Sequence, residues 1–320
     1  MRCYAALIAC ATLHAAPLPF QKGVNFTAEH PGGYSSAGAI QMLQKLPAYG
    51  INSIALVPYG STRPGNPSVR FSGVNTMEKD EGMLRLATIA HAKGIRILLK
   101  PQIWSRGGSP SNLDFPNAQD RKSWFASYRL FVEHYAALAT QMKADMFCVG
   151  VEFVLLSRNE SEWRALIKRA RELYKGPIVY AANFGPEFEQ LKFWDALDYI
   201  GLNNYYPVPD SLDMAAIVQK VEAVQKKFNK PIIFPEAGYP SLTNPNREPW
   251  AEAPRALSMD AQAKCLDALL KAFYPKPWFH GMYVWKVGTN GFGGLNDGSH
   301  TPWDKPAMQV LRRWYQKPGR

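Results

Sequence analysis

Two short stretches of the chain end an apolar run on a glutamate. "MFCVGVE" closes on Glu152, and "IIFPEAGYPS" carries Glu236 boxed in by Pro235, Gly238 and Pro240. A carboxylate at the lip of a core strand either caps a neighbouring backbone or does chemistry, and a pair facing one pocket is the usual machinery for cleaving a glycosidic bond. In that chemistry Glu236 is the nucleophile, kept ionised by donors such as Tyr205. Glu152 is the acid/base, its pKa raised by an apolar wall that includes Phe153. Alternation along a strand places Glu152 on one face with Gly150, Cys148 and Met146, and Glu236 with Phe234 and Ile232. In "YIGLNNYY" the bulky Ile200 and Leu202 face outward, which turns Gly201, Asn203 and Tyr205 inward. Asp114, Glu187, Glu189 and Asp297 are competing carboxylates, read as belonging to loops or helix starts.

The elements that must hold this pair alternate between strand-length apolar runs and longer segments of helical period, the βαβα signature of a parallel sheet. Eight runs read as strands: Gly23 to Phe26, Ser53 to Pro58, Arg96 to Gln102, Met146 to Glu152, Ile178 to Asn183, Tyr199 to Tyr206, Ile232 to Glu236 and Gly281 to Lys286. Between them Gln119 to Met142, Glu160 to Tyr174, Leu212 to Phe228 and Ser258 to Phe273 have helical spacing, and Ala307 to Tyr315 makes a final helix. The count predicts a single-domain (β/α)8 TIM barrel. An open doubly wound sheet would carry a glycine-rich phosphate turn after its first strand, and "GVNFTAEHPGG" has none.

In such a barrel the site is built at the carboxyl ends of the strands. Those ends hold Asn25, Lys100, Gln102 and Trp104, then Glu152, Asn183, Asn203, Tyr205 with Tyr206, Glu236, and Trp285 with Lys286. Hydrogen-bonding groups mixed with flat rings suit a saccharide, with its hydroxyls and apolar ring faces. Asn25, Lys100, Gln102, Trp104, Asn183, Asn203, Tyr206 and Trp285 are therefore the candidate substrate-binding residues. The loops "RPGNPSVRFSG" and "RGGSPSNLDF" are candidate subsite walls.

The 320 residues are 47% hydrophobic and 20% charged, ordinary for a globular chain with a large core. A net charge of +11 raises nucleic-acid binding, but the densest basic stretch, "WRALIKRARELYK", alternates its charges with Ala, Leu and Ile as a solvated helix face does. No nucleic-acid partner is expected. Residues 1–16 read as an export signal, with Arg2, the apolar "CYAALIACATL" and small residues before a cut near Ala15 or Ala16. The stretch is too short to span a membrane. "LIAC" also resembles a lipoprotein box that would leave Cys10 lipid-anchored, although the segment before it is short. The mature chain, 17–320, is expected outside the cytoplasm as a monomer. Cys148 and Cys265 read as separate buried thiols, and the scattered histidines imply neither a metal nor a cofactor.

Glutamates after the fourth and seventh strands, Tyr205 after the sixth, Trp285 after the eighth and the closing "TPWDKPAMQVL" together resemble the clan A retaining glycoside hydrolases. Within the clan, "GVEF" and "FPEAGYPS" are most similar to glycoside hydrolase family 113, known for endo-β-mannanases. The resemblance spans "KGVNF" to the "KPA" helix, and "PEAGY" is its most specific part. It implies double displacement with retention on β-1,4-mannan or glucomannan; galactan, xylan or glucan, or a non-catalytic carbohydrate-binding barrel, are the alternatives. Many clan A enzymes have Asn immediately before the acid/base, contacting the sugar 2-hydroxyl, where this chain has Val151. Either another side chain such as Asn183 or Lys100 takes over that contact, or the substrate preference differs.

Overall fold

A strand covered on both faces can be apolar throughout, and the short Val-, Ile- and Leu-rich runs of this chain meet that requirement. The computed structural model describes residues 18–30, 32–71, 77–105 and 109–318. The expected export signal, 1–16, with Cys3 and Cys10, lies outside them. Eight parallel strands close a barrel: β1 (Gln21–Thr27), β2 (Ser53–Leu56), β5 (Arg96–Leu99), β7 (Met146–Val151), β8 (Ile178–Asn183), β9 (Tyr199–Asn204), β10 (Ile232–Ala237) and β11 (Phe279–Gly288), which pairs back to β1. Three further strands, β3 (Tyr59–Arg63), β4 (Asn66–Arg70) and β6 (Gln102–Ser105), form a small separate sheet. The helices are α1 (Ala37–Lys45), α2 (Asp80–Ala92), α3 (Ala118–Gln141), α4 (Glu160–Leu173), α5 (Pro186–Gln190), α6 (Ala215–Phe228), α7 (Met259–Phe273) and α8 (Pro306–Tyr315). This is the (β/α)8 barrel that the strand count predicts.

The core has two layers. Inside the barrel, Ala55, Val57, Leu98, Met146, Cys148, Val179, Ala181, Ile233 and Tyr283 pack together with Val151 and Tyr199. The larger layer lies between strands and helices, where Trp124 stacks on Tyr128 at 4.8 Å and Trp163 stacks on Phe193 at 5.7 Å. Cys148 and Cys265 are free and buried in different layers, as read from the sequence.

Two predicted strands are shorter than expected, and proline is the reason. A proline supplies no ladder donor and restricts the residue before it. Pro58 ends β2 at Leu56 and Pro101 ends β5 at Leu99. The chain resumes beyond each proline as β3 and β6, which pair in parallel, Tyr59 with Gln102 and Ser61 with Trp104. The "RPGNPSVRFSG" segment, expected as a loop, turns at Pro64 and Gly65 (φ +74°) and runs back as β4.

The two strands that carry the glutamates share one irregularity. On β7, Cys148 pairs with Val179 and Val151 with Ala181, so three steps oppose two. On β10, Ile233 pairs with Gly201 and Glu236 with Asn203, again three against two. Each bulge reverses the facing of the residues beyond it. Simple alternation therefore fails: Ile232 and Phe234 pack in the outer layer, not beside Glu236, and Ile233 lies inside. Likewise Gly150 faces outward while Val151 joins the inner layer. Pro235, without an N–H, and Gly150, without a side chain, are the residues a bulge tolerates.

A Cβ on Gly150 would come within 2.7 Å of the Trp163 and Tyr180 rings. Gly150→Ala is expected to destabilise the protein by about 1–3 kcal/mol through overpacking. A lower urea midpoint with unchanged slope is the result to look for; an unshifted midpoint would mean that the rings yield freely.

Candidate active site

Glu152 follows the β7 bulge with φ +55°, a left-handed conformation rarely adopted outside glycine. After the reversed parity, this turn brings the carboxylate back over the barrel mouth. Its N–H donates to Ala181 O at 2.9 Å, and Asn203 Nδ2 donates to its Oε1 at 2.9 Å. Burial, and then the charge of Glu236, push the Glu152 pKa up to about 8, against the pull of Asn203. Phe153 does not supply the expected wall. It turns into the outer layer, 5.2 Å from Trp124 and 5.1 Å from Tyr128.

Glu236 has a different environment. The Lys100 ammonium, fully buried, pairs with Oε1; Gln102 Nε2 donates to the same oxygen at 2.6 Å. Tyr205 donates to Oε2 at 3.2 Å, as alternation along the sixth barrel strand predicts. Pro101 allows this convergence: it ends β5 after Leu99 and sends Gln102 into the small sheet. Beneath the site, Asn25 Nδ2 donates to Pro235 O at 3.0 Å and Tyr283 O at 3.1 Å. Asn25 thus holds the carbonyl at the bulge that presents Glu236.

A cavity of about 510 Å³ opens above the two glutamates. Gln102, Trp104, Asn183, Tyr205 and Trp285 line it, as the strand-end reading places them. Four candidate binding residues are elsewhere. Asn25, Lys100 and Asn203 are completely buried behind the lining, bonded to the site's own groups. Tyr206 donates to Glu189 at 2.7 Å and packs against Phe184, one residue past the inward-facing position. The competing carboxylates are also outside the lining: Asp297 pairs with Lys305, Glu189 with Lys220, Asp114 accepts from Phe115 N, and Glu187 is buried.

The sequence reading missed Tyr59, Trp250, Phe184 and His300 on the cavity wall. Trp250 stacks on Phe184 at 5.3 Å. It comes from an irregular segment between β10 and α7 with no periodicity to flag it. His300 holds that segment, its Nδ1 2.6 Å from Glu252 Oε1 and its Nε2 2.6 Å from Pro249 O. A larger groove, about 1230 Å³, lies against the outer helices α6, α7 and α8, and neither Glu152 nor Glu236 borders it. Among the described residues no group of three or more His, Cys, Asp or Glu is placed to hold a metal, and no helix is long and apolar enough to cross a membrane.

The sequence profile described as Glycoside Hydrolase Family 113 matches residues 24–293. The chain belongs to glycoside hydrolase family 113. The family 113 barrel is similar to the solved GH113 beta-mannanase AaManA from Alicyclobacillus acidocaldarius in complex with ManMIm, at 30% identity over 93% of this chain and 97% of that one, with a TM-score of 0.86. A GH113 beta-1,4-mannanase complex gives 26% identity over 94% and 100% of the two chains, TM-score 0.85. A Faecalibacterium prausnitzii beta-glucuronidase, 15% identical over 94% of this chain and 49% of its own, TM-score 0.64, shares the fold alone. Comparison with curated protein sequences gives no match. As a family 113 member the protein is a glycoside hydrolase, with a polysaccharide as its class of substrate.

The raised Glu152 pKa also bears on stability. Between its ordinary value near 4.5 and about 8, the folded family 113 barrel holds a proton that the unfolded chain has released, so stability falls as pH rises through this window. Glu152→Gln removes that loss. The variant should melt near the wild type at about pH 4 and increasingly above it toward about pH 8; parallel melting curves across the range would refute the assignment.

Proposed function

We propose that the protein is a retaining endo-β-mannanase that cleaves β-1,4-mannosidic bonds in mannan or glucomannan. The observation that carries this reading is the contrast between two carboxylates on one cavity. Glu152 is desolvated and holds its proton up to about pH 8, the condition for a general acid. Glu236 faces a buried ammonium and two further donors, which complement a negative nucleophile. The mannan assignment is supported by the two family 113 relatives, both described as β-mannanases.

In the first step a Glu236 oxygen attacks the anomeric carbon while Glu152 gives its proton to the departing glycosidic oxygen. In the second, Glu152, now a carboxylate, takes a proton from water as that water displaces Glu236 at the same carbon. Tyr205, Lys100 and Gln102 orient Glu236 throughout, and Asn203 orients Glu152. Of the two residues considered for the sugar 2-hydroxyl in place of Asn at Val151, Asn183 lines the cavity and Lys100 is committed to Glu236. Trp104, half exposed on the rim, and Trp250 offer flat faces to pyranose rings. Export, expected from residues 1–16, fits a polymeric substrate too large to enter a cell.

Reducing-sugar release should occur with mannan or glucomannan, exceed that from galactan and xylan, and vanish in Glu236→Ala. Proton NMR of the first product should show the β-anomer; an α-anomer would exclude retention. Activity with none of these polymers while oligosaccharides still bind would replace the enzyme reading with a binding barrel.

The proton on Glu152 sets the upper pH limit. Because the acid must be protonated, kcat/KM should decline as pH rises past about 8 and fall tenfold per unit well above it. A basic limb that stays in place in Glu152→Ala would assign it to another group.

A further inference from the structure

Glu187 stands in the first turn of α5 and is only 5% exposed, although a helix start usually leaves a glutamate in water. Its Oε1 accepts from the Tyr180 hydroxyl at 2.6 Å, and its Oε2 from the Asn183 backbone N–H at 2.7 Å. Burial raises its pKa to about 7, and these two donors oppose the rise. Neither step of the double displacement uses this carboxylate.

The left-handed turn at Glu152 explains what it does. Such a turn takes the next N–H, that of Phe153, off the barrel ladder and leaves it inside the protein, where an unpaired donor is costly. Tyr180 accepts from that N–H at 3.0 Å. The Tyr180 hydroxyl is itself buried and needs an acceptor for its own proton, and Glu187 is that acceptor. Glu152 is thus gripped from β8 on both sides: Ala181 O takes its N–H and Tyr180 takes the N–H of the next residue. The other oxygen of Glu187 fixes Asn183, on the cavity wall.

We propose that Glu187, acting through the Tyr180 hydroxyl and the Phe153 N–H, is a positioning residue that holds Glu152 in line with the departing glycosidic oxygen. The inference rests on the glycosidase reading of Glu152. Removing the grip leaves the acid present but misplaced, which affects proton delivery and leaves substrate binding intact.

The test compares two leaving groups. A mannosyl leaving group needs the proton, whereas a dinitrophenolate leaves without it, and kcat/KM reports only the steps up to that departure. Tyr180→Phe, which keeps the ring against Trp163, and Glu187→Ala should lower kcat/KM for mannopentaose by about 10- to 100-fold, the scale of a misplaced reacting group. In Tyr180→Phe, which leaves the Glu187 contact with Asn183 in place, KM for mannopentaose should be unchanged and kcat/KM for 2,4-dinitrophenyl β-mannobioside should stay near wild type; Glu187→Ala also frees the Asn183 N–H on the cavity wall, so its KM is not part of the test. Glu187→Gln keeps an acceptor for Tyr180 and should recover part of the loss. Equal losses on both substrates, a loss confined to KM, or no loss in Tyr180→Phe would overturn the proposal. Glu152→Ala is the control: it must show the same leaving-group selectivity. If it harms both substrates alike, the acid/base reading of Glu152 fails, and the relay with it; if only the relay variants lack selectivity, the relay alone fails.

Discussion

Removing a carboxylate and an ammonium from water is expensive, and their attraction offsets the loss only when their geometry is fixed and the remaining hydrogen-bonding positions are filled. Lys100 and Glu236 are in that situation at the barrel mouth, with the ammonium fully buried. The strands around them supply further donors to the carboxylate. Gln102 donates to the oxygen that Lys100 pairs with, and Tyr205 to the other. Asn25 clamps the backbone from which Glu236 projects. The negative charge held there then acts on Glu152 and helps to keep its proton in place. Burial first, and this neighbouring charge second, thus set Glu152 apart from Glu236.

The bulges on β7 and β10 are the backbone counterpart of this arrangement. A regular ladder would direct the residue after each apolar run by strict alternation. One additional residue per strand uncouples the mouth from the layers below. The inner layer can then be filled for packing while the mouth is arranged for chemistry. The left-handed turn at Glu152 is a further departure, held by hydrogen bonds from the neighbouring strand.

The barrel and its two glutamates were legible in the sequence because strand and helix periods differ sharply and because acidic residues ending apolar runs stand out. Tyr205 was legible through the alternation of Ile200 and Leu202, since β9 is regular up to that point. The facing of Ile232, Phe234 and Gly150 was not, because a bulge depends on pairing with another strand. Asn25 and Asn203 have the residue type of sugar ligands, and only burial shows that they bond to the protein instead. Pro58 and Pro101 were visible as letters, but the sheet that forms beyond them needs both strands to be broken at the same height. Trp250 and His300 meet through folding of an irregular segment, for which no local signal exists.

The sheet of β3, β4 and β6 carries Gln102 at the nucleophile and Trp104 at the rim, and it stays joined to β2 and β5 by the bonds from Lys100 N to Leu56 O and Gln102 N to Pro58 O, each 2.9 Å. The turn at Pro64 and Gly65 lies at its far end, where a Cβ on Gly65 would meet open space. The cavity takes only Tyr59 and residues 102–105 from this sheet, while β4 is tied to α3 by the bond from Val69 N to Ser127 Oγ at 2.9 Å. One small sheet outside the barrel thus ties the surroundings of the nucleophile to the rim of the cleft, so a shift of that sheet is felt at both places.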